Sequence, residues 1–135
     1  MLMAICSRGM DMAKLGIKNG QLTACSSKPN CVCSQAQDRE HYIDPLLFHG
    51  NLETAHQALV TILQQTKRVN IVTIETNYLH AEFKIALLRF VDDVEFYFVE
   101  ESSSLTTIHI RSASRVGYSD LGVNRKRMES LRAQL

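Results

Sequence analysis

Leu79-His-Ala-Glu-Phe-Lys-Ile85 alternates apolar with polar or charged side chains at every step. This is the period of an extended chain with one face turned to a core. Upstream, Val69 to Thr76 is a β-branched run, and Asn77-Tyr78 supplies the turn between the two segments. Downstream, Leu88 and Phe90 are apolar as well as Leu87, a parity shift that predicts a bulge near Ala86. Asp92-Asp93 reads as the next turn, since aspartate bonds its own backbone there. Val94, Phe96 and Phe98 then alternate with Glu95 and Tyr97. After a polar loop from Glu101 to Ser104, Ile108 and Ile110 share one face of a fourth strand whose opposite face carries Thr107, His109, Arg111, Ala113 and Arg115. Short connections favour antiparallel neighbours, so the expectation is a four-stranded meander.

Helical periods flank the strands. Leu52, Ala55, Leu59, Ile62 and Leu63 predict a helix over 52–66, with Asn51 as N-cap and Glu53 in the first turn. Met128, Leu131 and Leu135 form the stripe of a final helix starting at Gly122 or Val123, with Asp120 as its cap. The fold class is α+β: helix, four strands, helix, with both helices on one face of the sheet. An irregular cysteine-containing segment over 25–50 precedes them, with turns at Lys28-Pro29-Asn30 and Asp44-Pro45 and one short extended piece at Tyr42-Ile43. Residues 1–24 show no sustained period and read as a poorly ordered lead-in, leaving 25–135 as one domain.

The 135 residues suffice for a single core, and 45% hydrophobic with 21% charged residues is ordinary globular composition. A net charge of +1 lacks the positive field of a nucleic-acid binder. No stretch is apolar for the length of a membrane span. Met1 to Cys6 is apolar without a basic flank, which does not match a secretory signal, and Ile5 before Cys6 does not match a lipoprotein cleavage site.

Three stretches are more distinctive than these fold signals. They are Cys25-Ser-Ser-Lys-Pro-Asn-Cys31-Val32, Phe90-Val-Asp-Asp-Val-Glu95, and the string from Arg111-Ser-Ala-Ser-Arg115 through Gly117, Asp120 and Gly122 to Asn124-Arg125. In that order they resemble the bacterial and plastid family catalogued as domain of unknown function 1499, over about residues 20 to 135. The resemblance implies no established activity. It implies a place in or near the cell envelope, because similar proteins often begin with an export signal, a lipoprotein signal or membrane segments. No such leader is legible at Met1, which leaves a cytoplasmic location as the other expectation.

Cys25 and Cys31 are spaced so that the Pro29-Asn30 bend can close them into a disulfide, the leading reading for an exported domain. A metal site from Cys25, Cys31, Cys33 and His41 matches no standard zinc spacing, and free thiols are the third reading. Asp92, Asp93 and Glu95 read either as acid/base or cation-binding carboxylates, or as turn and salt-bridge groups facing the arginine strand. The basic residues from Arg111 to Arg132 oppose an acidic block from Glu75 to Glu101. This either orients strand and helix or forms a pocket for a carboxylate, phosphate or sulfate from Arg111, Ser112, Ser114, Arg115, Gly117, Asp120, Asn124 and Arg127. His109 reads first as a solvated strand histidine. Phosphate-loop and dinucleotide fingerprints are absent, no catalytic triad is defined by spacing, and no cofactor or metal is implied. The leading expectation is a non-enzymatic module holding a small anion or a protein partner. The alternatives are an enzyme with Asp93 or His109 as base and a structural or assembly protein.

Overall fold

The computed structural model describes residues 15–86, 90–117 and 119–135. The chain forms β1 (Cys31–Cys33), β2 (Leu46–Phe48), α1 (Leu52–Gln65), β3 (Val69–Glu75), β4 (Tyr78–Lys84), β5 (Val91–Ser102), β6 (Leu105–Ser114) and α2 (Val123–Gln134). The class is α+β, and β3 to β6 pair antiparallel in succession as a meander. The sheet has six strands rather than four. Beyond β6 lie β1, facing Arg111 to Ala113, and β2, facing Thr106 to Ile108, end to end along the same edge. Both come from the segment expected to be irregular, because three-residue strands are too short to show a period.

Asp92 and Asp93 do not form a turn. They sit early in the twelve-residue β5, both buried, because arginines satisfy their charges and override the turn preference of aspartate. β4 accordingly ends at Lys84. The expected bulge near Ala86 leads into Leu87 to Arg89, which lie outside the described residues, as do Met1 to Lys14 with Cys6. Register shifts occur instead between Ile71 and Thr73 and between Glu100 and Ser102.

One face of the sheet carries the apolar core. Leu79 and Ala81 of β4, Val94, Phe96 and Phe98 of β5, and Ile108 and Ile110 of β6 pack with Ala55, Leu59 and Leu63 of α1 and Met128 and Leu131 of α2. Leu59, Phe96, Ile108 and Met128 are 0% exposed, and each such side chain contributes about 1.5–3 kcal/mol by leaving water. Asn51 caps α1, its side chain accepting from the Thr54 amide at 2.9 Å. Part of the opposite face is covered by the chain before and around β1, where Leu22, Cys33 and Tyr78 make a second small cluster with Ile17, Cys25 and Tyr97 against it.

Cys25 and Cys31 are joined by a disulfide, while Cys33 is a buried free thiol. The bridge sits where the covering segment enters β1. Reducing it is expected to cost about 2 kcal/mol, the loop-closure value for so short a ring. Urea titrations with and without reductant measure this, and coincident midpoints would mean that the hydrogen bonds of Asn30 hold the segment alone.

Candidate functional site

Alternation along β4, β5 and β6 places the polar side chains opposite the core. Cross-strand pairing sets His80 against Glu95, Glu82 against Asp93, Glu95 against Arg111 and Tyr97 against His109. Arg115, just past β6, completes the group. Its Nε donates to Asp93 Oδ2 at 2.8 Å and its Nη2 to Asp93 Oδ1 at 2.9 Å, a two-pronged contact, and Nη2 also reaches Glu82 Oε2 at 2.6 Å. His80 Nε2 lies 2.7 Å from Asp93 Oδ1. Burial opposes the charge of Asp93, but Arg115 and His80 outweigh it and hold the carboxyl below its ordinary range.

Glu95 sits in a different balance. Tyr78 donates its hydroxyl to Oε2 at 2.5 Å and the Gly16 amide donates to the same atom at 2.6 Å, while Arg111 Nη1 stands 3.7 Å from Oε1. Burial raises the proton affinity of Glu95 more than Arg111 and Tyr78 lower it. The Tyr78 phenol is pushed far up, first by burial and then by Glu95. The Gly16 contact anchors the covering chain onto this face.

The third ion pair lies on the core side of the same strand. Arg127 of α2 reaches Asp92 Oδ2 with Nη2 at 2.8 Å and lies 4.8 Å over the Phe83 ring. Its Nη1 donates to Ser112 Oγ at 3.1 Å and to Asn124 Oδ1 at 2.7 Å. Asn124, wholly buried, donates in turn to the Asn30 carbonyl at 3.2 Å, Ser114 Oγ at 3.1 Å and Asp120 Oδ2 at 2.6 Å. Asp120 also accepts from the Gly122 and Asn124 amides, so those N–H groups are already satisfied. Gly117 has φ +92° and its carbonyl accepts from Asn30 Nδ2 at 2.9 Å; its need is for the left-handed backbone, since open space surrounds its α-carbon.

The residues expected to surround an anion are therefore divided by β6. Ser112, Ser114, Asp120, Asn124 and Arg127 meet on the helix side, and Arg111 and Arg115 lie on the other. His109 is half-buried rather than freely solvated, with Ser34 Oγ 3.1 Å from its Nδ1, and burial lowers its proton affinity. The cysteine and His41 metal set is broken up because Cys25 and Cys31 are joined. His41 is a strut, with Nδ1 2.5 Å from Asp38 and Nε2 2.9 Å from the Lys28 carbonyl. Burial raises the Cys33 thiol, which disfavours the nucleophilic thiolate.

Among the described residues, a cleft of about 660 Å³ opens on the polar face between Leu15 to Ile17 and the β3–β4 hairpin. Thr73, Glu75, Asn77, Tyr78 and His80 form its hairpin side. Sequence reasoning treated Tyr78 and His80 as a turn residue and an outward strand residue. The detectable signal was register, which places them opposite Tyr97 and Glu95.

Removing the Asp93 charge tests this network. Asp93→Asn is expected to cost about 3 kcal/mol at neutral pH, because Arg115 loses its main partner while remaining partly buried. The depressed folded-state proton affinity of Asp93 supplies stability above its unfolded value, near about pH 4, and loses it as pH falls further. The gap between parent and variant in urea should therefore close below about pH 4. Glu95 has the opposite sign, contributing at low pH and losing that contribution as pH rises. A gap that is constant with pH would exclude Asp93 as an ionised anchor.

Comparison with curated proteins finds no match, and comparison with solved structures finds none either. The family model described as Protein of unknown function (DUF1499) matches residues 21–135, a span holding the two helices, the six strands and the three arginine–carboxylate pairs described above. The chain belongs to that family.

Proposed function

We propose that this chain is a non-catalytic binding domain whose arginine-rich motif is an internal lock and whose ligand surface is the cleft beside the β3–β4 hairpin. The observation that carries this reading is the pairing of three arginines of the C-terminal region with carboxylates of β5: Arg111 with Glu95, Arg115 with Asp93 and Arg127 with Asp92. These guanidiniums lie on two faces of the sheet and are between 1% and 21% exposed as side chains, so they serve an incoming anion poorly. The cleft supports binding by its volume, within the ordinary range for small-molecule sites, and by its mixture of apolar and polar walls.

A catalytic reading has one observation in its favour. Asp93 orients His80 in the cleft as a carboxylate orients a general base. Against it, neither Cys33, which is buried, nor Ser34, which is engaged with His109 and the Ile110 amide, stands beside His80 as a nucleophile.

A ligand-observed NMR screen of small charged and neutral metabolites separates the two. Binding without chemistry predicts compounds that show saturation transfer and are recovered unchanged after prolonged incubation. A compound consumed by the parent and spared by His80→Gln would overturn the proposal in favour of the enzyme.

A further inference from the structure

The geometry points to a small organic cation, an alkylammonium, as the ligand of this cleft, held by the carboxylate of Glu75 and by Nδ1 of His80. This deepens the binding reading above and rests on it.

The argument begins with the tautomer of His80. Asp93 Oδ1 accepts from Arg115 Nη2 at 2.9 Å and faces His80 Nε2 at 2.7 Å. A carboxylate so engaged is ionised and only accepts, so Nε2 must carry the ring proton in neutral imidazole. Nδ1 is then the lone-pair nitrogen. His80 is 6% exposed, the only hydrogen bond of its side chain among the described residues is the one to Asp93, and the residue lines the cleft. A lone pair that faces the cleft without a protein donor is open to a ligand that brings an N–H.

The charge of the wall agrees. Glu75 is exposed at the end of β3, and among the described residues no lysine or arginine lines the cleft. Behind His80 and Tyr78 stand Asp93 and Glu95, and on the polar face Arg111 and Arg115 are engaged with Glu95, Asp93 and Glu82, which leaves Glu75 as the charge nearest the cleft. Tyr78 in the cleft wall has its phenol pushed up first by burial and then by Glu95 and Glu75, the carboxylates that flank it. Leu15, Ile17 and the Tyr78 ring supply apolar surface for a short carbon chain, and Thr73 and Asn77 add polar contacts at the mouth.

The test is a titration of the full ¹⁵N-labelled chain with 1,4-diaminobutane, inorganic phosphate and glycerol in parallel, followed by amide and imidazole resonances. The expected result is saturable shifting by the diamine alone, confined to Thr73, Glu75, Asn77, Tyr78 and His80, with His80 Nδ1 moving as it accepts a hydrogen bond. Glu75→Gln, at an exposed position that leaves folding intact, should weaken the diamine about tenfold through loss of one charge-assisted hydrogen bond. Diamine binding unchanged by Glu75→Gln would overturn the assignment. So would stronger binding of phosphate or glycerol at the same resonances, but a binding domain would survive with another ligand class. Binding of other compounds elsewhere on the chain, with the cleft resonances unmoved up to about 10 mM diamine, would sink both the cleft and its cation.

Discussion

Three carboxylates within four residues of one central strand are the constraint to which the rest of the chain answers. Asp92, Asp93 and Glu95 are each at most 2% exposed, and a carboxylate in that position destabilises the fold by several kcal/mol unless a cation or donors meet it. Because neighbouring residues of a strand point to opposite faces, Asp92 demands its partner on the core side and Asp93 and Glu95 on the other. One helix and one strand end must therefore deliver guanidiniums to both surfaces of the sheet. The last third of the sequence does this with Arg111 in β6, Arg115 just after it and Arg127 one turn into α2. Strand register, the angle at which the chain leaves β6, and the seat of α2 follow from that demand.

The cysteine loop is tied into the same arrangement through Asn30. Its carbonyl accepts from the Ser114 amide at 3.0 Å and from Asn124 Nδ2, and its side chain donates to Gly117. With Cys31 bridged to Cys25, this places β1 on the edge of β6 and turns the preceding chain across the polar face. The three sequence stretches that single out the family are thus the three that touch one another. Glu95 is held less closely by its arginine than Asp93 is, because its guanidinium stands at 3.7 Å while Arg115 grips Asp93 with two nitrogens. The Gly16 amide makes up part of the difference, so the coverage of the polar face depends on the incomplete pairing beneath it.

The helices and the meander were legible because their signals are periodic. The apolar stripe of α1 repeats over several turns, its cap is a single asparagine, and the alternation of β4 to β6 survives any local exception. Asp92-Asp93 misled because turn propensity is a local property and the guanidiniums that override it lie twenty-two and thirty-five residues away, at Arg115 and Arg127. The arginine string attracted notice correctly as charge, but its division between two faces follows from where β6 ends, and that boundary is set by pairing with β5 and β1. His80 was invisible for a related reason. Nothing beside it in sequence distinguishes it from an outward strand histidine; only register brings Asp93 to its Nε2.

The same accounting of charge decides what the domain offers to a ligand. Arginines in a sequence suggest an anion site only while their counter-ions are unknown. Here Arg111, Arg115 and Arg127 are engaged with buried carboxylates, and the polar face keeps acceptors open on the side of β3 and β4, beside Leu15 to Ile17. Glu75, which makes no ion pair among the described residues, and the lone pair of His80 are groups left with capacity. A sequence balanced almost to neutrality can in this way present a locally acidic opening, because neutrality over the chain constrains only the sum. The polarity of a site follows from which charges remain after the interior has been satisfied.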